Sequence, residues 1–97
     1  MRVRYTRKAL AEIDGIISYI ARDIERAADK VAAAIYEAIQ LISRRPEISP
    51  FVFQEEIRGK MVGRYPYRIF YSVGGDEIVI RNVRSTRRRL PWEDGVG

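Results

Sequence analysis

The hydrophobic period of this 97-residue chain changes once, at Pro46. Before it, Leu10, Ile13, Ile17, Ile20 and Ile24 recur at spacings of three and four, and Ala28, Val31, Ile35, Ala38 and Ile42 continue the pattern. Such spacing places side chains on one side of an α-helix. Asp29, Lys30, Glu37 and Arg44 fall on the opposite side of the second stretch. Two helices fit better than one bent helix, because nearly 40 residues exceeds the usual globular length. Residues 22–26, Arg-Asp-Ile-Glu-Arg, are the candidate break, with Asp23 as the expected cap.

After Pro46 the pattern is that of strands. Residues 46–56 carry two prolines and two phenylalanines and read as a loop. Residues 57–62, 66–73 and 77–84 read as three strands, with Gly74-Gly75-Asp76 as a hairpin turn between the last two. Short connections between them imply an antiparallel meander. At the other end, Arg2-Val3-Arg4-Tyr5 alternates basic and apolar residues as a short strand does, and Thr6 stands where a helix N-cap belongs. The expected fold is therefore α+β: an N-terminal strand, a helical hairpin, then a three-stranded antiparallel meander (β-α-α-β-β-β), with the helices on one sheet face. Ninety-seven residues suffice for one domain spanning 1–97.

Two residue types are missing, and each absence excludes chemistry. Without cysteine there is no disulfide, no thiolate nucleophile and no cysteine metal site. Without histidine there is no imidazole base near neutral pH and no ordinary zinc or copper site. No carboxylate cluster suggests another metal, and no cofactor is expected. No apolar run approaches the roughly 20 residues of a membrane span, and the N-terminus lacks the apolar core of a signal peptide. The chain is accordingly expected to be cytoplasmic, with no membrane partner.

The net charge is +5, and 15 of the 18 basic residues are arginine. Arginine holds carboxylates and phosphates through a planar fork. The densest charge lies at residues 81–89, Arg-Asn-Val-Arg-Ser-Thr-Arg-Arg-Arg, with five arginines and no acid. It reads as an anion-binding edge or as a solvated tail. Trp92 follows, either docked on the core or part of a binding surface. The glycines form no phosphate-binding motif. Alternation places Tyr67, Ile69, Tyr71 and Val73 on one strand face and Arg68, Phe70 and Ser72 on the other. With Ile57 and Met61 turned toward the helices, Arg58 and Lys60 join Arg68 on an open, basic face. The last strand fits either parity. Tyr67 and Tyr71 are expected in the core, and Tyr65 exposed.

Nearly the whole chain resembles the RelE/ParE toxin superfamily of type II toxin–antitoxin systems. The resemblance rests on Tyr5-Thr6-x-x-Ala9-Leu10, on the helix pair ending at Pro46, and above all on Tyr65-Pro66-Tyr67-Arg68-Ile69-Phe70-Tyr71 followed by a Gly-Asp turn, Val83-Arg84 and the arginine run. It implies a toxin bound and neutralised by a cognate antitoxin. RelE-like members cut messenger RNA on the ribosome, and ParE-like members poison DNA gyrase. Carried over residue by residue, the RelE ribonuclease positions fall on Arg58 and Lys60 once one loop residue is inserted, on Arg68, near Thr86 with Arg87 one step off, and near Trp92. Arginine stays protonated and is a poor general base, and tryptophan has no hydroxyl. The chain thus looks closer to ParE-like members, with a RelE-like endoribonuclease, or a plain nucleic-acid-binding module, as alternatives.

The expected target-binding residues are Arg58, Lys60, Arg64, Arg68, Arg81, Arg84, Arg87, Arg88 and Trp92. If the chain is a ribonuclease, its catalytic set would be Arg58, Lys60, Arg68 and Arg87. For antitoxin contact the expected residues are Phe51, Phe53, Ile17 and Ile24, although both phenylalanines could instead tuck under the helices.

Overall fold

The computed structural model describes residues 1–94. The chain runs β1 (Arg2–Tyr5), α1 (Arg7–Ala21), α2 (Glu25–Arg44), β2 (Phe51–Phe53), β3 (Ile57–Met61), β4 (Tyr67–Gly74) and β5 (Glu77–Ser85), then a short 3-10 helix at Pro91–Asp94. The sheet order is β1-β5-β4-β3-β2. The meander β3-β4-β5 is antiparallel as expected, and β1 adds to it as a parallel edge beside β5. The expected loop at 46–56 contains a further strand. Phe51–Phe53 pairs antiparallel with β3, so the sheet has five strands.

The helices form because their apolar residues find a common core. Val31, Ile35, Ala38, Ile39 and Ile42 of α2 pack with Ile69, Tyr71, Ile78, Ile80 and Val83 of the sheet. α1 contributes Ala9 fully, and Ile13, Ile16, Ile17 and Ile20 in part. The ends of the expected α1 stripe lie outside this core: Leu10 is 53% exposed and Ile24 59%. The two helices separate at residues 22–24, within the expected break. The N-cap of α2 is Ile24 rather than Asp23, and it makes no side-chain capping bond.

Thr6 caps α1 and ties it to the sheet. Its hydroxyl oxygen accepts from the Ala9 amide at 3.0 Å, and the hydroxyl donates to the Arg81 carbonyl at 2.9 Å. Thr6→Val removes both bonds while keeping the shape. Losing a threonine cap typically costs about 1–2 kcal/mol. Thermal unfolding should therefore show a melting temperature lower by roughly 5–15 °C in a domain of this length.

The β4-β5 hairpin closes through Gly75 and Asp76, with Gly75 at φ +61°, where a side chain would be strained. Along β5 the register slips by one: Phe70 faces Asn82 and Tyr71 faces Ile80, leaving Arg81 as a bulge. The bulge lets Ile78, Ile80 and Val83 all face the helices. On the helix side Tyr71 is fully buried, and its hydroxyl donates to the Pro46 carbonyl at 2.8 Å. Tyr65 is not the exposed aromatic expected, because it packs partly against the core.

At the sheet edge, Arg2 and Arg4 of β1 pair with Glu77 at 3.4 and 3.0 Å. The Arg4 hydrogen bond, with help from Arg2, holds the Glu77 carboxyl below its ordinary pKa. Partial burial, then the neighbouring Tyr36, pushes the Tyr5 phenol upward. Among the described residues, no helix is long and apolar enough to cross a membrane, and no group of acidic side chains is placed to hold a metal ion.

Candidate functional site

β1 pairs with β5 only as far as Ile80. Beyond that point β5 needs another partner on the same side, and α1 supplies it through Glu12. One Glu12 oxygen accepts from the Val83 amide at 3.0 Å and from Asn82 Nδ2 at 3.2 Å, and the other accepts from Arg84 Nε at 2.8 Å. The carboxylate thus stands in for a missing strand. The Arg84 and Glu12 side chains are only 4% and 13% exposed. A charge-assisted bond at this depth is strong in geometry but fragile to loss of one partner.

Arg84 passes this order on to the C-terminal segment, since its Nη1 donates to the Arg89 carbonyl at 3.3 Å. The turn after β5 is further held by Thr86 N donating to the Pro66 carbonyl at 2.9 Å, and by Arg88 N donating to the Ser85 carbonyl at 3.1 Å. The 3-10 helix then lays Trp92 on the sheet face away from the α-helices. Its ring stacks on Phe53 at 4.6 Å and meets Phe70 edge-on at 5.6 Å. The arginine run is therefore a docked arm rather than a solvated tail. Aromatic packing fixes one end and Arg84 fixes the middle.

The arm gathers some of the expected residues and separates others. Arg68, Arg84 and Arg88, joined by Arg89, line a concavity of about 180 Å³ with the hydroxyl residues Ser85 and Thr86 and the carboxylate Glu93. On its other side Arg84, Arg87 and Arg88 border a second, larger groove against α1. Arg81 is exposed at the β5 bulge, and Arg64 is exposed in the turn before β4. Trp92 takes part as the anchor of the arm.

Arg58 and Lys60 do not join them. Directly opposed residues of an antiparallel pair share a face. Arg58 opposes Tyr71 and Lys60 opposes Ile69, both core residues, whereas Met61 opposes Arg68. The expected parity of β3 is thus inverted. Arg58 and Lys60 lie on the helix side and Arg68 on the other. The physical reason is Val62, which the core buries completely while Met61 stays exposed. Arg58 is also engaged: it donates to the Ser49 carbonyl at 2.6 Å and covers the Phe51 ring at 4.0 Å.

Of the residues expected to meet an antitoxin, Phe53 is occupied by Trp92, and Ile17 is half-buried against the core. Phe51 and Ile24 remain exposed. Sequence reasoning missed Glu12 and Arg89. The available signal for Glu12 was its place beside the buried stripe, three residues from Ala9 and four from Ile16.

Chemically, the arm can bind anions but is poorly equipped to move protons. Guanidinium groups stay protonated and donate hydrogen bonds without giving up a proton. Glu93 could accept a proton, but among the described residues lining the concavity no side chain of suitable acidity faces it to return one.

Comparison with known proteins bears on the same segment. The family model described as the ParE toxin of the type II toxin–antitoxin system parDE matches residues 3–90. No curated protein sequence matches significantly. Among solved structures, a chain of the chromosomal ParDE toxin–antitoxin system from P. aeruginosa superposes with a TM-score of 0.76 at 24% identity, covering 88% of this chain and 95% of that one. The isolated E. coli RelE toxin superposes with a TM-score of 0.63 at 12% identity, covering 97% and 93% respectively. At these identities the two likenesses establish the fold. The match of the family model across β1 to the arginine arm establishes more: the chain belongs to the ParE toxin family of type II toxin–antitoxin systems.

Proposed function

We propose that this chain is a growth-arresting toxin that acts by binding DNA gyrase, without cleaving RNA, and that a cognate antitoxin holds it inactive. The observation that carries this reading is the division of the ribonuclease-like residues by the sheet. Arg58 and Lys60 lie on one side, Arg68 on the other, and Arg87 on the arm. That arrangement speaks against convergence of the four on one phosphodiester. What remains together is a cationic arm, suited to gripping an acidic surface. Family membership supports the toxin role and the antitoxin partner. Action on gyrase implies a cytoplasmic protein.

The enzymatic alternative makes a clear prediction. When the chain is expressed alone, transcript 5′ ends should be unchanged during growth arrest. New ends within codons, appearing before growth slows, would instead establish a RelE-like ribonuclease.

A further inference from the structure

Among the described residues, three arginines are not exposed: Arg58, Arg68 and Arg84. Two have acceptors within the chain, since Arg58 donates to the Ser49 carbonyl and Arg84 to Glu12. Arg68 differs. Among the described residues it makes no hydrogen bond and no ion pair, and its guanidinium lies 5.8 Å from the centre of the Phe70 ring. A guanidinium offers only donors, and donors drawn off the surface without an acceptor are rare in folded proteins. The Arg68 nitrogens still reach solvent, because no buried side-chain nitrogen lacks a partner among the described residues. The side chain lines the concavity beside the arm, with Arg88 and Arg89.

Gly59 accounts for the place of Arg68. It sits in the middle of β3, opposite Phe70, on the sheet face that carries Arg68. A glycine inside a strand weakens it, and often marks a place where another group approaches closely. The backbone does not require glycine here: among the described glycines only Gly63 and Gly75 have positive φ. The space does. A Cβ at residue 59 would stand 3.1 Å from Cδ of Arg68, and 3.0 and 3.3 Å from the two methyls of Val52. Ordinary contact begins at 3.4 Å, so the arginine stem would have to shift. The stem lies in the trough that the missing side chain leaves.

We propose that Gly59 is a positioning residue: it lets the Arg68 stem cross β3 at this level, so that the guanidinium lines the concavity and receives an acidic side chain of the target. A carboxylate matches the guanidinium fork. The concavity also has cations to spare, because Arg84 is matched by Glu12 while Arg68, Arg88 and Arg89 face the single lining carboxylate, Glu93. The proposal rests on the reading of this chain as a toxin that grips a protein target. It adds to the exposed arginines of the arm one cation already held in place, which loses less freedom on binding.

The test is the inhibition of purified gyrase by the full chain, with folding followed by thermal melting. Arg68→Ala should raise the concentration needed for half-inhibition about thirtyfold or more, the scale for truncating one partner of an interfacial charge pair. Gly59→Val should come close to that loss and Gly59→Ala should lose several-fold, the alanine variant deciding the matter if the valine variant folds poorly. In a chain that already carries Arg68→Ala, adding Gly59→Ala should change inhibition by no more than about twofold, because nothing is left to position. A general weakening of the sheet would instead show equally in both backgrounds. Gyrase free of DNA should rank the variants in the same order by calorimetric affinity. A ranking seen only with DNA bound would make the anion a phosphate and overturn the acidic side chain. Full-strength inhibition by folded Arg68→Ala would overturn the contact. Folded Gly59 variants that inhibit within about twofold of wild type, or that lose as much without Arg68 as with it, would overturn the positioning role. A wild-type chain that leaves gyrase fully active would overturn the gyrase reading itself, and this inference with it.

Discussion

Replacing Glu12 with alanine is expected to remove about 3–5 kcal/mol of stability, the usual result of stripping one partner from a buried ion pair. In a domain of this length that is a large share of the total. Melting temperature falls by roughly 4–8 °C per kcal/mol, so the variant should melt roughly 12–40 °C below wild type. The size of the effect follows from how many groups the carboxylate serves. Its loss takes from Arg84 the carboxylate that its Nε meets at 2.8 Å, and it deprives Asn82 and the Val83 amide of their acceptor. Glu12→Gln keeps an acceptor for Val83 and should lose less. The double variant Glu12→Leu/Arg84→Met, which removes both charges, should recover only part of the loss by thermal melting, because it avoids the desolvation penalty but still leaves Asn82 and the Val83 amide without that acceptor. If Glu12→Ala melted within a few degrees of wild type, the carboxylate would not be the element that completes the edge of β5.

The second large effect concerns function with the fold left intact. Arg87, Arg88 and Arg89 have exposed side chains, and the bonds that shape the arm use their backbone atoms or Arg84. Changing all three to glutamate alters charge by six units while leaving the Trp92 anchor in place. Surface substitutions of this kind usually change stability by within about 0.5 kcal/mol each. Truncating a buried interfacial charge costs about 2–5 kcal/mol in binding, and reversal adds repulsion. The triple variant should therefore melt near wild type and lose growth arrest on induction. Arrest that persists at wild-type strength would place the target-binding surface elsewhere.

How far the sequence foretold this structure depended on whether a residue's role was periodic. Both helices, their break, the meander and the Gly-Asp turn all follow from spacing, and each stands where spacing puts it. β2 was hidden because only Phe51–Phe53 forms it, between Pro50 and a Gln54 with φ +51°. The parity of β3 misled because Ile57 and Met61 look like core residues, while the single position that decides the face is Val62. The ambiguous parity of β5 has a physical origin in the Arg81 bulge, which moves the buried set from Ile80 to Val83. Of the site, the arginine run was legible as charge. That it is docked was not, since docking depends on Trp92 meeting Phe53 and Phe70, which lie 39 and 22 residues away in the sequence. Glu12 was invisible for the same reason: its partners belong to the far end of the chain.

In the function proposed above, the arm grips a protein target and does no chemistry. The most direct test is the supercoiling activity of purified gyrase, measured with increasing amounts of the wild-type chain and of the Arg87→Glu/Arg88→Glu/Arg89→Glu variant. The wild type should inhibit in proportion to its concentration, and the variant, equally folded, should not. Full supercoiling activity in the presence of a large excess of folded wild-type chain would contradict it.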